Sequence, residues 1–245
     1  SASSKGFGGR KPVIYQHRIV ICRAGKLEKR HENFQSTTMQ ALDDAGSALI
    51  GAWEVYIGDE AGSAVWQLRQ FESMANWAAH QDKVRADAAL STALQTHLYP
   101  YLDEVNTSIL ALADGSPDIP VDWPAIDAMR GQPRGYIEQR ILRHKVGRSA
   151  AHHAFYHEHV MPALEREGAR LIGYFDTLIG DGTTNGKSMR TVELRHFPDL
   201  ASWQRWREVQ DTDKDLADLI TGQWLPHIEQ MQSTLLRPLD YSRIR

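Results

Sequence analysis

Residues Tyr136–Asp181 read YIEQRILRHKVGRSAAHHAFYHEHVMPALEREGARLIGYFDTLIGD, and Ile14–Asp59 read IYQHRIVICRAGKLEKRHENFQSTTMQALDDAGSALIGAWEVYIGD. The two stretches align without a gap at a constant offset of 122, with 14 of 46 positions identical. The identities fall on glycines and apolar positions, from Arg18/Arg140 and Gly25/Gly147 to Leu49/Leu171 and Gly51/Gly173. Beyond them the offset becomes 126. Leu68, Arg69, Phe71, Trp77 and Pro100 match Leu194, Arg195, Phe197, Trp203 and Pro226. The four extra residues fall in Asp181–Ser188, whose Gly, Thr and Asn content suits a lengthened hairpin loop. Self-similarity over this length marks an internal duplication.

Within one copy the local signals give an element order. Val13–Ile21 is rich in β-branched residues and ends at a turn, so it reads as a strand. Leu27–Ala45 has helical spacing and stops at Gly46. Ala48–Ile57 and Ala64–Phe71 form a hairpin; Ser73 caps a second helix that continues towards Leu102, and Asn106–Leu112 is a last strand. The order is β-α-β-β-α-β, a split βαβ or ferredoxin-like unit. The second copy repeats it, with strands near 136–144, 169–180, 188–197 and 231–238. Such a sheet carries helices on one face, so its other apolar face needs a cover. The expected fold is therefore α+β: two tandem ferredoxin-like βαββαβ units whose antiparallel sheets pack into a pseudo-dimeric α/β barrel. Residues 1–12 read as a flexible tail, 13–112 as the first unit, 113–134 as a Pro/Gly/Asp-rich linker and 135–245 as the second unit.

Composition narrows the function classes. The 245 residues hold 28 Lys and Arg against 31 Asp and Glu, a net charge of −3. That lacks the basic surplus of a nucleic-acid or polybasic membrane-surface protein. No apolar run approaches the ~20 residues that span a bilayer. Cys22 is the one cysteine, which leaves no internal disulfide or thiolate cluster and suits a reducing, cytoplasmic location. The chain starts at Ser1, so a removed signal segment is compatible with it. Nucleotide and serine-hydrolase motifs are absent.

The motifs IEQRILRHKVG, GARLIGYFDTLIGD and TVELRHFPDLASW in the second copy resemble the NIPSNAP-type domain of the dimeric α/β-barrel superfamily. Arg140, Gly147, Gly168, Leu171, Ile172, Gly173, Tyr174, Leu194 and Arg195 stand at its characteristic positions. In the first copy they are Arg18, Gly25, Gly46, Leu49, Ile50, Gly51, Trp53 (shifted by one), Leu68 and Arg69. The resemblance spans both units. It implies a barrel with pockets between sheet and helices, as in cofactor-free monooxygenases, haem-binding chlorite dismutases, EthD-like proteins and small lyases. Fold alone does not assign a reaction among them.

The densest histidine cluster is HHAFYHEH, His152–His159. A stripe through 150, 153, 154, 157, 160, 161 and 164 turns His153 and His157 towards the sheet, with His152 and His159 at its edges. Spaced i, i+4, the pair can form an acid–base couple or hold a metal. A solvated helix end is the bland alternative. His31 matches His153, while Gln35 stands at the place of His157. Arg18 and Arg140 fall mid-strand, where a partner or polar cavity is required. Glu193 is a strand carboxylate that could orient an imidazole or simply pair with an arginine. Trp77-x-x-His80 resembles the W-x-x-H of barrel monooxygenases, and His80 is the haem-ligand candidate by that analogy. Tyr136, Tyr156, Tyr174 and Trp66 could line an aromatic pocket.

The resulting expectation is a small-molecule enzyme acting on an apolar or aromatic metabolite by lyase, isomerase or oxygenase chemistry. Its catalytic set is His153, His157, Arg140, Glu193 and His31. Its substrate-binding set is Tyr136, Tyr156, Tyr174, Trp66, Arg18 and His80. No organic cofactor is expected, with metal at His153/His157 or haem as alternatives. The partner is a small ligand, neither nucleic acid nor membrane. One chain completes the barrel, and any homodimer would use outer surfaces. The competing class is a non-catalytic NIPSNAP-type ligand-binding or scaffold protein.

Overall fold

The computed structural model describes residues 13–114, 116, 119, 135–180, 183–184 and 187–244. The expected tail 1–12, most of the linker 113–134 and the centre of the 181–188 loop lie outside them. Thr183–Thr184 and Lys187–Ser188 (β7 and β8) pair with each other across that loop.

Eight long antiparallel strands close a barrel. They are β1 Ile14–Cys22, β2 Ala48–Ile57, β3 Ala64–Phe71, β4 Leu102–Leu112, β5 Tyr136–His144, β6 Arg170–Ile179, β9 Arg190–Phe197 and β10 Ile228–Pro238. The order round the barrel is β1-β3-β2-β10-β5-β9-β6-β4. Each half contributes neighbouring strands in the same permutation, β4-β1-β3-β2 and β10-β5-β9-β6. The halves join where β2 meets β10 and β4 meets β6. The barrel of a single chain thus has no open edge, the state that protects its strands from pairing with other molecules.

The period of two along each strand sorts side chains between two cores. Tyr15, Trp53, Trp66, Leu68, Phe175, Leu194 and their neighbours fill the barrel interior from both halves. The alternate positions face the helices outside. Gly51 shows how tight the interior is. A Cβ there would run into the Trp53 ring, and Gly173 stands in the same relation to Phe175. Both glycines sit at β-bulges, between Leu49 and Gly51 and between Leu171 and Gly173.

The first helix of each half differs from its expected form. The spacing predicts unbroken helices, but Phe34–Thr38 and Tyr156–Val160 are π-helical turns at matched positions. A π turn inserts a residue and rotates everything upstream of it. The buried stripes consequently run at steps of four: Arg30, Phe34, Thr38, Leu42 and His152, Tyr156, Val160, Leu164. The second helix of each half breaks at an aspartate. Asp87 and Asp213 adopt extended backbone and accept hydrogen bonds from Leu90 N and Leu216 N, capping the helices that follow. The last strand of the first half begins at Leu102, earlier than its β-rich core Asn106–Leu112 indicated.

Candidate functional site

Between sheet and helices of the first half lies a cavity of about 230 Å³. Strand alternation supplies its floor: Gln16 and Arg18 from β1, Gln67 and Arg69 from β3. The π turn brings Arg30 and Phe34 over one side. Ser73 caps the helix Met74–Ala86 by accepting from Asn76 N, which sets Trp77 and His80 one turn apart on the wall. Leu94 and Leu98 close the apolar end.

The cavity is rich in donors and cations. Arg69 donates to Asp43 Oδ1 at 2.8 Å and Ser47 Oγ at 2.6 Å. Arg30 donates to Tyr241 Oη at 3.0 Å and lies 4.6 Å above the Phe34 ring. Arg18 forms no ion pair among the described residues. Burial, with Arg69 and Arg30 nearby, lowers its pKa to about 10, so it stays charged at neutral pH. Burial and then the cations Arg69, Arg18 and Lys83 lower the pKa of His80, keeping its ring neutral. Six buried nitrogens of the side chains lining this cavity lack a partner among the described residues: Arg18 Nε, Arg30 Nε, Gln67 Nε2, Arg69 Nη2, Trp77 Nε1 and His80 Nδ1.

The same location in the second half is built differently. Glu138 and Glu193 stand where the first half has Gln16 and Gln67. Arg195, the match of Arg69, donates to Glu193 at 2.7 Å, to Glu138 at 3.2 Å and to Tyr156 Oη at 3.1 Å. Glu138 also accepts from Trp203 Nε1 at 3.2 Å and Ser233 Oγ at 3.0 Å. Arg140 reaches Glu193 at 4.0 Å, its direct cross-strand partner, and packs 4.8 Å from the Trp224 ring. Burial would raise the Glu193 pKa, but Arg195, His152 and Arg140 outweigh it and hold the carboxyl at about 2. Aromatics fill the space beside Glu193: Tyr156 stacks on Tyr174 at 4.7 Å, and Trp206 and Trp224 replace His80 and Leu98. A more open hollow of about 340 Å³ remains between Arg140, Met231, Thr221 and Trp224.

The π turn corrects the histidine assignment. His152, expected at the stripe edge, is fully buried, with its Nε2 3.7 Å from Glu193 Oε1. Its ring lies 4.2 Å from that of His144. His153 and His157, expected to face the sheet together, sit further out. His153 Nε2 is 3.3 Å from Asp176, and His157 meets the Asp114 carbonyl at 3.0 Å. No group of three His, Cys, Asp or Glu side chains among the described residues is arranged to hold a metal. His31 lies beside the cavity wall, 2.9 Å from Tyr241 Oη, and burial with Arg30 lowers its pKa to about 4. Trp66 points into the barrel interior, edge-on to His17. Tyr136 packs on Tyr56 at 5.3 Å. Of the expected binding residues, Arg18 and His80 meet in one cavity. That cavity is below the ~300 Å³ lower bound of drug-sized ligand sites, too small as it stands for a haem. Gln16, Gln67, Arg30 and Arg69 stand outside the expected site residues, Arg69 figuring only as a characteristic family position. The Gln/Glu exchange at the two matched pairs was their available signal.

The comparisons fit this architecture. The NIPSNAP family model matches residues 15–117 and again 137–243. A "putative monooxygenase" from Fusobacterium nucleatum is similar in structure, with TM-score 0.60 and 11% identity over 93% of each chain. Another of that name from Lactobacillus acidophilus has TM-score 0.58 and 8% identity, covering 93% of this chain and 94% of its own. An anthrone oxidase-like protein has TM-score 0.56 and 10% identity, covering 94% and 92%. At these identities the likeness speaks for the fold alone. No curated protein sequence matches the chain. No helix among the described residues is long and apolar enough to cross a membrane. With the family model matched twice over most of its length, this chain belongs to the NIPSNAP family.

Proposed function

We propose that the chain is a small-molecule enzyme of two ferredoxin-like units, and that its working site is the first-half cavity. It acts on an apolar or aromatic metabolite with side-chain chemistry and no organic cofactor. The observation that carries this is that a neutral His80 with a partner-free Nδ1 and an unpaired Arg18 line one cavity. A neutral imidazole can accept a proton from a substrate carbon or hydroxyl. A guanidinium held beside it stabilises the negative charge that develops. That first step is common to lyases, isomerases and cofactor-free oxygenases. The names of the structural neighbours favour the oxygenase member of the set.

The second half has the competing residues His153, His157, Arg140 and Glu193, but there the charges neutralise one another, and the more open hollow beside Arg140 and Trp224 is lined by no histidine. The test is a thermal-shift screen of small aromatic metabolites, followed by product analysis of the hits with and without oxygen. Leu98→Trp installs the bulky side chain of the second half and should abolish the hits. His80→Gln should lower turnover by ~10²-fold or more while retaining binding. His153→Ala should leave turnover near that of the parent. Unchanged turnover in His80→Gln would overturn the role given to this histidine, and hits that yield no product with the parent chain would leave the non-catalytic binding reading in its place.

A further inference from the structure

We infer that the first-half cavity is a carboxylate site. It takes a small organic carboxylate whose charged end meets Arg18 and Gln67 and whose apolar or aromatic body lies against Phe34, Leu94 and Leu98. The inference rests on this cavity being the ligand site and goes on to name the ligand's charge.

The argument is a comparison of the two halves at matched positions. The second half holds two buried guanidiniums, Arg140 and Arg195, against two buried carboxylates, Glu138 and Glu193. The first half holds three guanidiniums, Arg18, Arg30 and Arg69, against one carboxylate, Asp43. Three minus one leaves a surplus of two positive charges around a cavity. Both missing carboxylates are replaced by amides of nearly the same shape, Gln16 and Gln67. Shape is kept and charge is removed, so the negative group the fold accommodates must come from outside.

The hydrogen bonds repeat the pattern. Trp203 Nε1 donates to Glu138, whereas Trp77 Nε1, its match, has no protein acceptor. Arg195 uses all three of its nitrogens on protein oxygens, whereas Arg69 Nη2 and Arg18 Nε have none. Of the side chains concerned, Gln67 is 1% and Arg69 2% exposed, while Arg18 and Trp77 are half-buried with their unpaired nitrogens out of solvent. Unpaired buried donors are costly, and here they converge on one space. A planar carboxylate presents two oxygens that match a guanidinium fork. Arg30 and Arg69 are already engaged with Tyr241, Asp43 and Ser47, which leaves Arg18 as the free fork. The lining also includes Phe34, Leu94 and Leu98, so the ligand has one charged end and one hydrophobic end.

Benzoate is the probe and benzamide its neutral isostere, both measured by titration calorimetry on the full chain. Benzoate should bind saturably, and benzamide at least ~10-fold more weakly, the scale of one charge-assisted hydrogen bond. Gln67→Glu copies the second half and supplies the carboxylate internally, so it should lower benzoate affinity at least as much. Arg18→Gln is the second variant, since it removes an unpaired cation and leaves every described ion pair in place. Thermal melting of both variants separates lost binding from lost folding. Equal binding of benzamide and benzoate, unaltered by Gln67→Glu but lost in Leu98→Trp, overturns the carboxylate inference and leaves the cavity as the ligand site. Benzoate binding that survives Leu98→Trp overturns both. No saturable benzoate binding by the parent chain overturns the carboxylate inference alone, since the His80→Gln turnover test stands independently of it.

Discussion

Replacing Glu193 by Gln removes the negative centre of the second half while keeping its shape. In the folded chain Glu193 touches Arg195 at 2.7 Å, faces His152 at 3.7 Å and Arg140 at 4.0 Å, and is fully buried. Its pKa falls from an ordinary 4.5 to about 2, burial working against the neighbouring positive groups and losing to them. A depression of that size is worth about 3 kcal/mol at neutral pH, each unit being ~1.4 kcal/mol. Breaking a buried ion pair from one side costs ~3–5 kcal/mol by a separate route, so the two scales agree. In a chain of this length 1 kcal/mol moves the melting temperature by ~2–4 °C, so Glu193→Gln should melt roughly 6–12 °C lower at pH 7. The pH dependence carries the sign. A depressed folded-state pKa stabilises above the unfolded value, and the contribution fades as pH falls from 4.5 towards 2. Urea unfolding of parent and variant from pH 7 to pH 2.5 should therefore show a gap that is constant above about pH 5 and narrows below it. A gap under ~0.5 kcal/mol at pH 7, or one that does not narrow in acid, would falsify the account of this cluster as a self-neutralising pillar.

Gly51→Ala should destabilise by ~1–3 kcal/mol in denaturant unfolding, because its Cβ enters the space of the buried Trp53 ring. The imidazoles of His17 and His144 should keep the NMR shifts of neutral rings from pH 8 to pH 5. Burial, with Arg190 near His17 and with His152 and His153 near His144, lowers both pKa values to about 3. Each of the two should make the fold less stable as pH falls from 6.5 towards 3, since only the unfolded chain takes up the proton. Trp203→Phe should cost ~1 kcal/mol more than Trp77→Phe, because Trp203 alone donates to a buried carboxylate, as parallel urea titrations would show.

The strand and helix order was legible because each strand carries its own turn signal and the duplication reads every element twice. The identity of the site was not, for a local reason. The phase of the helix at 149–166 was projected from Leu164 with ordinary helical spacing, which places His153 and His157 inward. The π turn Tyr156–Val160 adds a residue between that anchor and the histidines, so His152 faces the sheet instead. Nothing in the composition of YHEHV announces such a turn. Two matched rows at steps of four, Arg30-Phe34-Thr38-Leu42 and His152-Tyr156-Val160-Leu164, were the trace it left. Four of the five expected catalytic residues lie in the second half because its histidine pair His153/His157 has only His31 and Gln35 as its match. Uncompensated charge beside a histidine points to the first half, and it depends on residues far apart in sequence: Gln16, Gln67 and His80 against Glu138, Glu193 and Trp206.

The exchange of two carboxylates for two amides is open to a fused pair and closed to a symmetric one. In a homodimer every substitution appears in both copies, so the two sites would share their charge and their volume. A barrel with two cavities of surplus positive charge would leave buried guanidinium nitrogens unpaired on both sides, as Arg18, Arg30 and Arg69 do here on one. A barrel with two filled sites would bind nothing at either. Here the second half satisfies its own arginines and packs Trp206 and Trp224 against Tyr156 and Tyr174, which anchors half of the strands in a closed sheet. The first half shares that sheet through the β2–β10 and β4–β6 seams. Its last support also comes from the other copy: Ser242 and Ile244, beyond β10, bond along β2, and Tyr241 holds Arg30 in place at the cavity. A strained, partly unsatisfied site can persist where surrounding structure over-determines it. The duplication provides that surrounding structure within one chain.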